Sequence, residues 1–210
     1  MTTTSHAPLA PARILVLVSG LGSTMQTLVE ASDDPGWGGR VVAVGADRQC
    51  AGLEWAQHRG IATFSHPLSR GGDRGRWDVE LTELVAAHDP DLVVCAGFMK
   101  LLGGAFLARF GGRVLNTHNS LLPAFPGTHA PADALAAGVK VAGATLFVVD
   151  AGVDTGAILA QVTVPVEEGD TAETLLERIK VAERAQLADT VGRMLREGWR
   201  TRGASAYIGA

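Results

Sequence analysis

The sequence predicts an α/β fold: a mostly parallel sheet with helices on both faces, a short antiparallel strand pair near the C-terminus, and a closing helix. Three observations predict it. Short aliphatic runs without polar alternation, RILVLV (13–18), RVVAVGA (40–46) and DLVVCAG (91–97), have the character of strands buried on both faces. Stretches with apolar residues at helical spacing separate these runs. Strand and helix therefore alternate, as right-handed crossovers in a parallel sheet require. Later, GATLFVV (143–149) and AILAQVTVP (157–165) are separated only by DAGVDTG, too short for a parallel crossover, so this pair is antiparallel.

In chain order, MTTTSHAPLAPA (1–12) lacks the basic start and apolar core of a signal peptide and reads as a disordered lead-in. The first strand, 13–18, ends at Ser19-Gly20, and a helix over 23–31 places Met25, Leu28 and Val29 on one face. The second strand precedes a helix over 50–59 with Leu53, Trp55 and Ala56, closed by Gly60. A third strand, 61–64, leads into a Ser, Arg, Gly and Asp-rich loop over 69–75. The amphipathic helix 76–88 carries Trp77, Leu81, Leu84 and Val85 and stops at Asp89-Pro90. The fourth strand is 91–97 and the fifth 114–116. After the antiparallel pair, a helix from 171 to about 196 has capping chemistry in Thr171, Glu173 and Thr174. No repeat or linker interrupts 13–200, which reads as one domain, and 201–210 reads as a tail.

A chain of 210 residues with 47% hydrophobic content can bury a large core in one domain. The 18 basic residues against 22 acidic ones provide no nucleic-acid footprint, so an anionic ligand would need a local site. Cys50 and Cys95 form neither a disulfide framework nor a zinc spacing, which fits a reducing cytosol. No apolar run approaches the roughly 20 residues that span a bilayer. The expectation is a cytoplasmic protein, monomer or homodimer, with no membrane or nucleic-acid partner.

Three segments carry candidate chemistry. In SGLGST (19–24), glycines would let backbone N–H groups approach an anion at a helix N-terminus. Met25 stands where a third dinucleotide-loop glycine would fall, and no Walker lysine follows. That leaves a tight turn or a phosphate monoester site. In NTHNSLLPAFPGTHA (116–130), Asn116 and His118 are two apart and point to the same side of an extended backbone, at the carboxyl end of a strand. Such a pair can contact an oxygen that becomes negative in a tetrahedral intermediate, although an isolated Asn-x-His also occurs as surface or turn chemistry. Asp154, in DAGVDTG, is either a turn residue or a carboxylate that orients an imidazole. His118 and His129 lack a third ligand at metal spacing, no G-x-S-x-G elbow is present, and no metal is expected.

Together SGLGS, AGFMKLL, LNTHNSLLPAFPGTH and VDTGAILAQ resemble the folate-dependent glycinamide ribonucleotide formyltransferases of purine synthesis, from about residue 13 to 195. The resemblance implies a Rossmann-like sheet and 10-formyltetrahydrofolate as co-substrate. It places the catalytic residues at Asn116, His118 and Asp154. Contacts to the ribonucleotide phosphate and ribose fall on Gly22, Ser23, Thr24 and Glu183. The folate side falls on Arg74, Met99, Lys100, Leu101 and Leu102, on Asn116, and on Asp150, Ala151, Gly152, Val153 and Asp154.

The chain departs from the family pattern in three places. Asn119 replaces the usual proline after the histidine, Thr24 stands where Asn is more usual, and Pro131 replaces a second histidine of some members. Two alternatives remain from the sequence. One is a formyltetrahydrofolate deformylase, a class that usually carries an extra N-terminal domain where this chain has residues 1–12. The other is a non-catalytic ligand-binding protein of the same fold.

Overall fold

The computed structural model describes residues 3–209. Five parallel strands form one half of a ten-stranded sheet: β2 (Ala12–Val18), β3 (Gly39–Ala46), β4 (Ala62–Ser65), β5 (Leu92–Cys95) and β6 (Val114–His118), in the order β4-β3-β2-β5-β6. The other half adds β7 (Val141–Val148) and β8 (Ala157–Pro165) as an antiparallel pair, then β10 (Ser205–Ile208) parallel to β8, and β9 (Trp199–Arg202) and β1 (Thr3–His6) in antiparallel pairing.

Alternation along β2 shows why its sequence is apolar throughout. Ile14, Val16 and Val18 pack with α1 (Ser23–Ala31), α2 (Ala51–His58) and the long α6 (Ala172–Glu197). Leu15 and Leu17 pack on the other face with Trp77, Leu81 and Val85 of α3 (Arg74–Ala86) and with Phe106 and Phe110 of α4 (Gly104–Phe110). Each fully buried side chain of this kind contributes about 1.5–3 kcal/mol.

After β2 the chain moves outward to β3 and β4, then returns to the other side of β2 as β5. The crevice beyond the carboxyl ends of β2 and β5 is therefore the topological switch point, where open α/β sheets bind their ligands.

The expected antiparallel pair is β7 with β8, and the closing helix begins with a capping box in which Thr171 and Thr174 bond each other's backbone N–H groups. Both chain ends differ from expectation. The lead-in contains β1, which pairs with β9, and the tail forms the hairpin β9–β10. Trp199 explains both: it is fully buried, stacks on His6 at 4.4 Å and donates its indole N–H to the Gly112 carbonyl. Burying this indole holds the two ends on the sheet. Met1, Thr2 and Ala210, also included in those expectations, lie outside the described residues.

Helix α3 starts at Arg74 because Asp73 accepts the Arg76 N–H, so Arg74 stands in the first helical turn and not in the 69–75 loop. The seven-residue helices α4 and α5 (Ala130–Ala136) were not expected, being too short for a clear apolar period. The buried Asp78 carboxylate, reaching across from α3, accepts the N–H groups of Gly103, Ala105 and Phe106 and so starts α4.

Candidate active site

A cavity of about 560 Å³ opens at the switch point, lined by the end of β6, the 97–103 segment, the 150–154 loop and α6. Asn116 and His118 both reach it from the same face of β6, as their two-residue spacing predicts. Between them, Thr117 faces α6 and hydrogen-bonds to Glu183.

His118 is 8% exposed. Its Nε2 lies 2.8 Å from the Phe125 carbonyl oxygen. A carbonyl only accepts, so Nε2 carries a proton, and Nδ1 is the nitrogen whose proton can exchange. Nδ1 lies 3.6 Å from Asp154 Oδ2, an ion pair whenever the ring is protonated. The same Asp154 oxygen accepts the Gly127 N–H at 2.9 Å, which ties the 150–154 loop to the segment after β6. Asp154 itself adopts a positive φ of 54°, a conformation that Asp tolerates better than most residues.

The loop after β6 is shaped by side chains of the antiparallel pair. Thr145 Oγ1 donates to the Ser120 carbonyl and accepts from the Leu122 N–H and from Gln161, whose amide also donates to the Leu122 carbonyl. Removing the Thr145 hydroxyl would leave the buried Leu122 N–H unpaired, at about 1–3 kcal/mol. The signal available in the sequence was a lone hydroxyl residue inside GATLFVV, since buried polar groups require partners.

Most of the expected site residues meet at this cavity. Arg74, Met99, Lys100, Leu101, Leu102, Asp150, Ala151, Gly152, Val153 and Asp154 all line it, as does Glu183. Arg74 stacks on Trp77 and donates to the Leu101 carbonyl. Asp150 accepts from the Gly152 N–H and the Thr155 hydroxyl, giving its loop a closed turn.

Of the three residues expected to hold a phosphate, Thr24 alone reaches the wall, whereas Gly22 and Ser23 lie outside the lining. Gly22 adopts φ +75° at the start of α1, and a Cβ there would come within 3.1 Å of the Gly52 backbone. Its glycine is thus explained by chain geometry.

Lys180 also lines the cavity and was missed in the sequence. It precedes Glu183 by three residues and so shares its helix face. Burial pushes the Glu183 carboxyl above its ordinary range, and the Thr117 bond and nearby cations only partly oppose this. All three departures from the family pattern, Thr24, Asn119 and Pro131, stand in the cavity wall. Cys95 lines it too, but burial pushes its thiol up to about 12, which makes it a poor nucleophile. Among the described residues, no group of three His, Cys, Asp or Glu side chains is placed to hold a metal ion.

Comparison with known proteins agrees with this architecture. The formyl transferase family matches residues 12–191. A phosphoribosylglycinamide formyltransferase of Mycobacterium tuberculosis (strain H37Rv) is 54% identical over 204 residues, covering 96% of this chain and 94% of that one. Glycinamide ribonucleotide transformylase 1 from Symbiobacterium toebii superposes with a TM-score of 0.88 at 39% identity, over 95% of this chain and 94% of that chain. A formyltetrahydrofolate deformylase from Pseudomonas syringae superposes at 0.87 with 23% identity, over 95% of this chain and 66% of that chain, and this likeness concerns the fold alone. By sequence along nearly its whole length and by fold, the chain belongs to the phosphoribosylglycinamide formyltransferases.

Proposed function

We propose that this protein transfers the formyl group of 10-formyltetrahydrofolate to the amine of glycinamide ribonucleotide, with Asn116, His118 and Asp154 as the catalytic residues. The observation that carries the reading is the convergence of Asn116 and His118, from one face of β6, on a cavity where Asp154 faces the imidazole at 3.6 Å.

In the proposed step the amine nitrogen attacks the formyl carbon and the C=O electron pair moves to oxygen. The tetrahedral intermediate then collapses as the carbon–N10 bond breaks. The amine loses one proton and the folate nitrogen gains one. The Asn116 amide donates to the oxyanion. His118, oriented by the Phe125 carbonyl on Nε2, stabilises the same charge and exchanges its Nδ1 proton beside Asp154. Oxyanion donors of this kind are worth about 2.7–4 kcal/mol. No covalent enzyme intermediate and no metal enter the proposed route.

We assign the ribonucleotide to the α1–α6 side. Thr24 and Lys180 supply a hydroxyl and a cation for its phosphate, Gly22 and Ser23 shape the turn behind Thr24, and Glu183 accepts from the ribose. The folate takes the side formed by Arg74, 99–102 and 150–154. The ligands are small molecules, and the reading places the protein in the cytoplasm, as monomer or homodimer, without a membrane or nucleic-acid partner. Among the described residues, no helix is long and apolar enough to cross a membrane.

An assay with 10-formyltetrahydrofolate, with and without glycinamide ribonucleotide, tests the reading. Tetrahydrofolate that forms only with the amine supports transfer. Amine-independent formate release indicates the deformylase instead, and folate binding without turnover indicates a non-catalytic protein.

A further inference from the structure

The wall segment from Met99 to Gly103 belongs to no helix or strand, and its Met99 and Leu101 side chains are 67% and 58% exposed. Contacts to its backbone therefore give it its shape. At the near end the Met99 N–H donates to Ser19 Oγ at 2.8 Å. The far end is held from the first turns of α3. Arg74, stacked on the Trp77 ring, donates to the Leu101 carbonyl. Buried Asp78, four residues on and so on the same helix face, accepts the Gly103 N–H through Oδ1 at 2.6 Å. Its Oδ2 accepts the N–H groups of Ala105 and Phe106 at 2.9 and 3.2 Å.

Gly103 carries the mark of this contact. Its φ of −92° and ψ of −173° are extended backbone that any residue adopts, so its conformation does not call for glycine. A Cβ at 103 would instead lie 2.5 Å from the Asp78 carboxyl carbon, and the three atoms nearest to it would all belong to that carboxyl. At Gly104 a Cβ would meet nothing within 4 Å. Glycine is thus required where the carboxylate closes on the segment, and not one residue later.

We propose that Asp78 is a positioning residue for folate binding: its carboxylate fixes Gly103 and, with Arg74 on Leu101, holds the 99–102 wall in its binding shape before the ligand arrives. Asp78 stands behind the wall, outside the cavity lining. A preformed wall lowers the ordering cost of binding, so its loss falls on affinity more than on turnover. The inference rests on the assignment of 99–102 to the folate.

The test uses the full chain carrying Asp78→Ala, Asp78→Asn, Gly103→Ala, Gly104→Ala, or Asp78→Ala with Gly103→Ala. Asp78→Ala and Gly103→Ala should each raise KM for 10-formyltetrahydrofolate about tenfold, with kcat within about threefold and KM for glycinamide ribonucleotide within about twofold. Asp78→Asn keeps one of the two accepting oxygens and should raise the folate KM about threefold. Gly104→Ala should leave both KM values unchanged. The double variant should match Asp78→Ala alone, because the atoms that the added methyl would strike are gone. In ligand-free Asp78→Asn, hydrogen exchange at the Gly103 amide should speed up about tenfold, while the Val93 and Val94 amides of β5 stay protected.

An unchanged folate KM in the Asp78 variants would overturn the inference, as would unchanged Gly103 exchange. So would a double variant that shows the product of the two single effects, or KM values for both substrates rising in step with a loss of melting temperature. If Asp78→Ala does not fold, Asp78→Asn decides by the same KM and exchange comparisons. If the parent protein transfers no formyl group, the functional reading falls, and the exchange measurement still decides whether Asp78 holds Gly103.

Discussion

The floor and the rim of the cavity are built in opposite ways. The floor consists of Asn116, His118, Asp154 and Glu183, whose backbones belong to strand β6, helix α6 or a loop pinned to its neighbours. His118 and Glu183 are buried, and each has a fixed partner, the Phe125 carbonyl and the Thr117 hydroxyl. The rim presents Met99, Leu101 and Val153, which line the cavity and are each at least half exposed. Buried, bonded side chains can stabilise charge without reorganising when it develops. Exposed apolar side chains offer area to a flat aromatic ligand but place no charge. The difference teaches that floor residues should govern turnover and rim residues should govern affinity.

The largest expected effects break the floor. Asn116→Ala and His118→Ala should each lower kcat about 10²- to 10³-fold, with KM changed far less. Turnover within tenfold of the parent in either variant would remove that residue from the proposed chemistry. Asp154→Asn comes next, with a loss of kcat on the order of 10²-fold. Asparagine tolerates the positive φ and still offers an oxygen to Gly127, so the melting temperature should barely move. A large fall in stability there would make Asp154 a structural turn residue after all.

The rim is expected to respond more weakly and in another parameter. Met99→Ala or Leu101→Ala should raise KM for the folate about three- to tenfold and leave kcat within about twofold. If kcat fell instead, the division between floor and rim would be wrong.

Glu183→Gln provides the smallest effect and a test by pH. The Glu183 pKa is raised in the folded protein, so the folded state favours the protonated carboxyl. The stability linked to that proton is present at low pH and is lost as pH rises through the raised pKa. Glutamine carries no such linkage. The variant's melting temperature relative to the parent should therefore be more favourable at pH 8 than at pH 5, by a few degrees. A variant that loses ground to the parent as pH rises would contradict the assigned burial effect. Weaker ribonucleotide binding in the same variant would show that the site keeps a destabilising carboxylate for its ligand.

Much of this was legible in the residues. The uninterrupted aliphatic runs marked the central strands, and the seven-residue DAGVDTG connection between the β7 and β8 runs excluded a crossover on length alone. The period of two placed Asn116 and His118 on one face. Residue chemistry by itself left Asp154 between turn and partner, because its bond to Gly127 closes 27 residues of chain. Lys180 escaped notice since nothing local distinguishes a cavity-facing lysine from a solvated one, and Thr145, the lone hydroxyl inside GATLFVV, did not itself say which groups it would bond. The lead-in resembled disorder because TTSH has no apolar pattern, and its strand exists only where β9 offers an edge.

By itself the sequence determined the alternation of strands and helices, the parallel half of the sheet, and the pairing of an amide and an imidazole on one strand face. These follow from side-chain periodicity and connection length, which are local. Tertiary structure alone decided that Trp199 gathers both chain ends onto the sheet, that Thr145 and Gln161 shape the loop after β6, and that Ser19 at the end of β2 accepts the Met99 N–H. Those contacts join distant parts of the chain, and a buried polar group finds its partner only when the fold brings one within hydrogen-bonding distance.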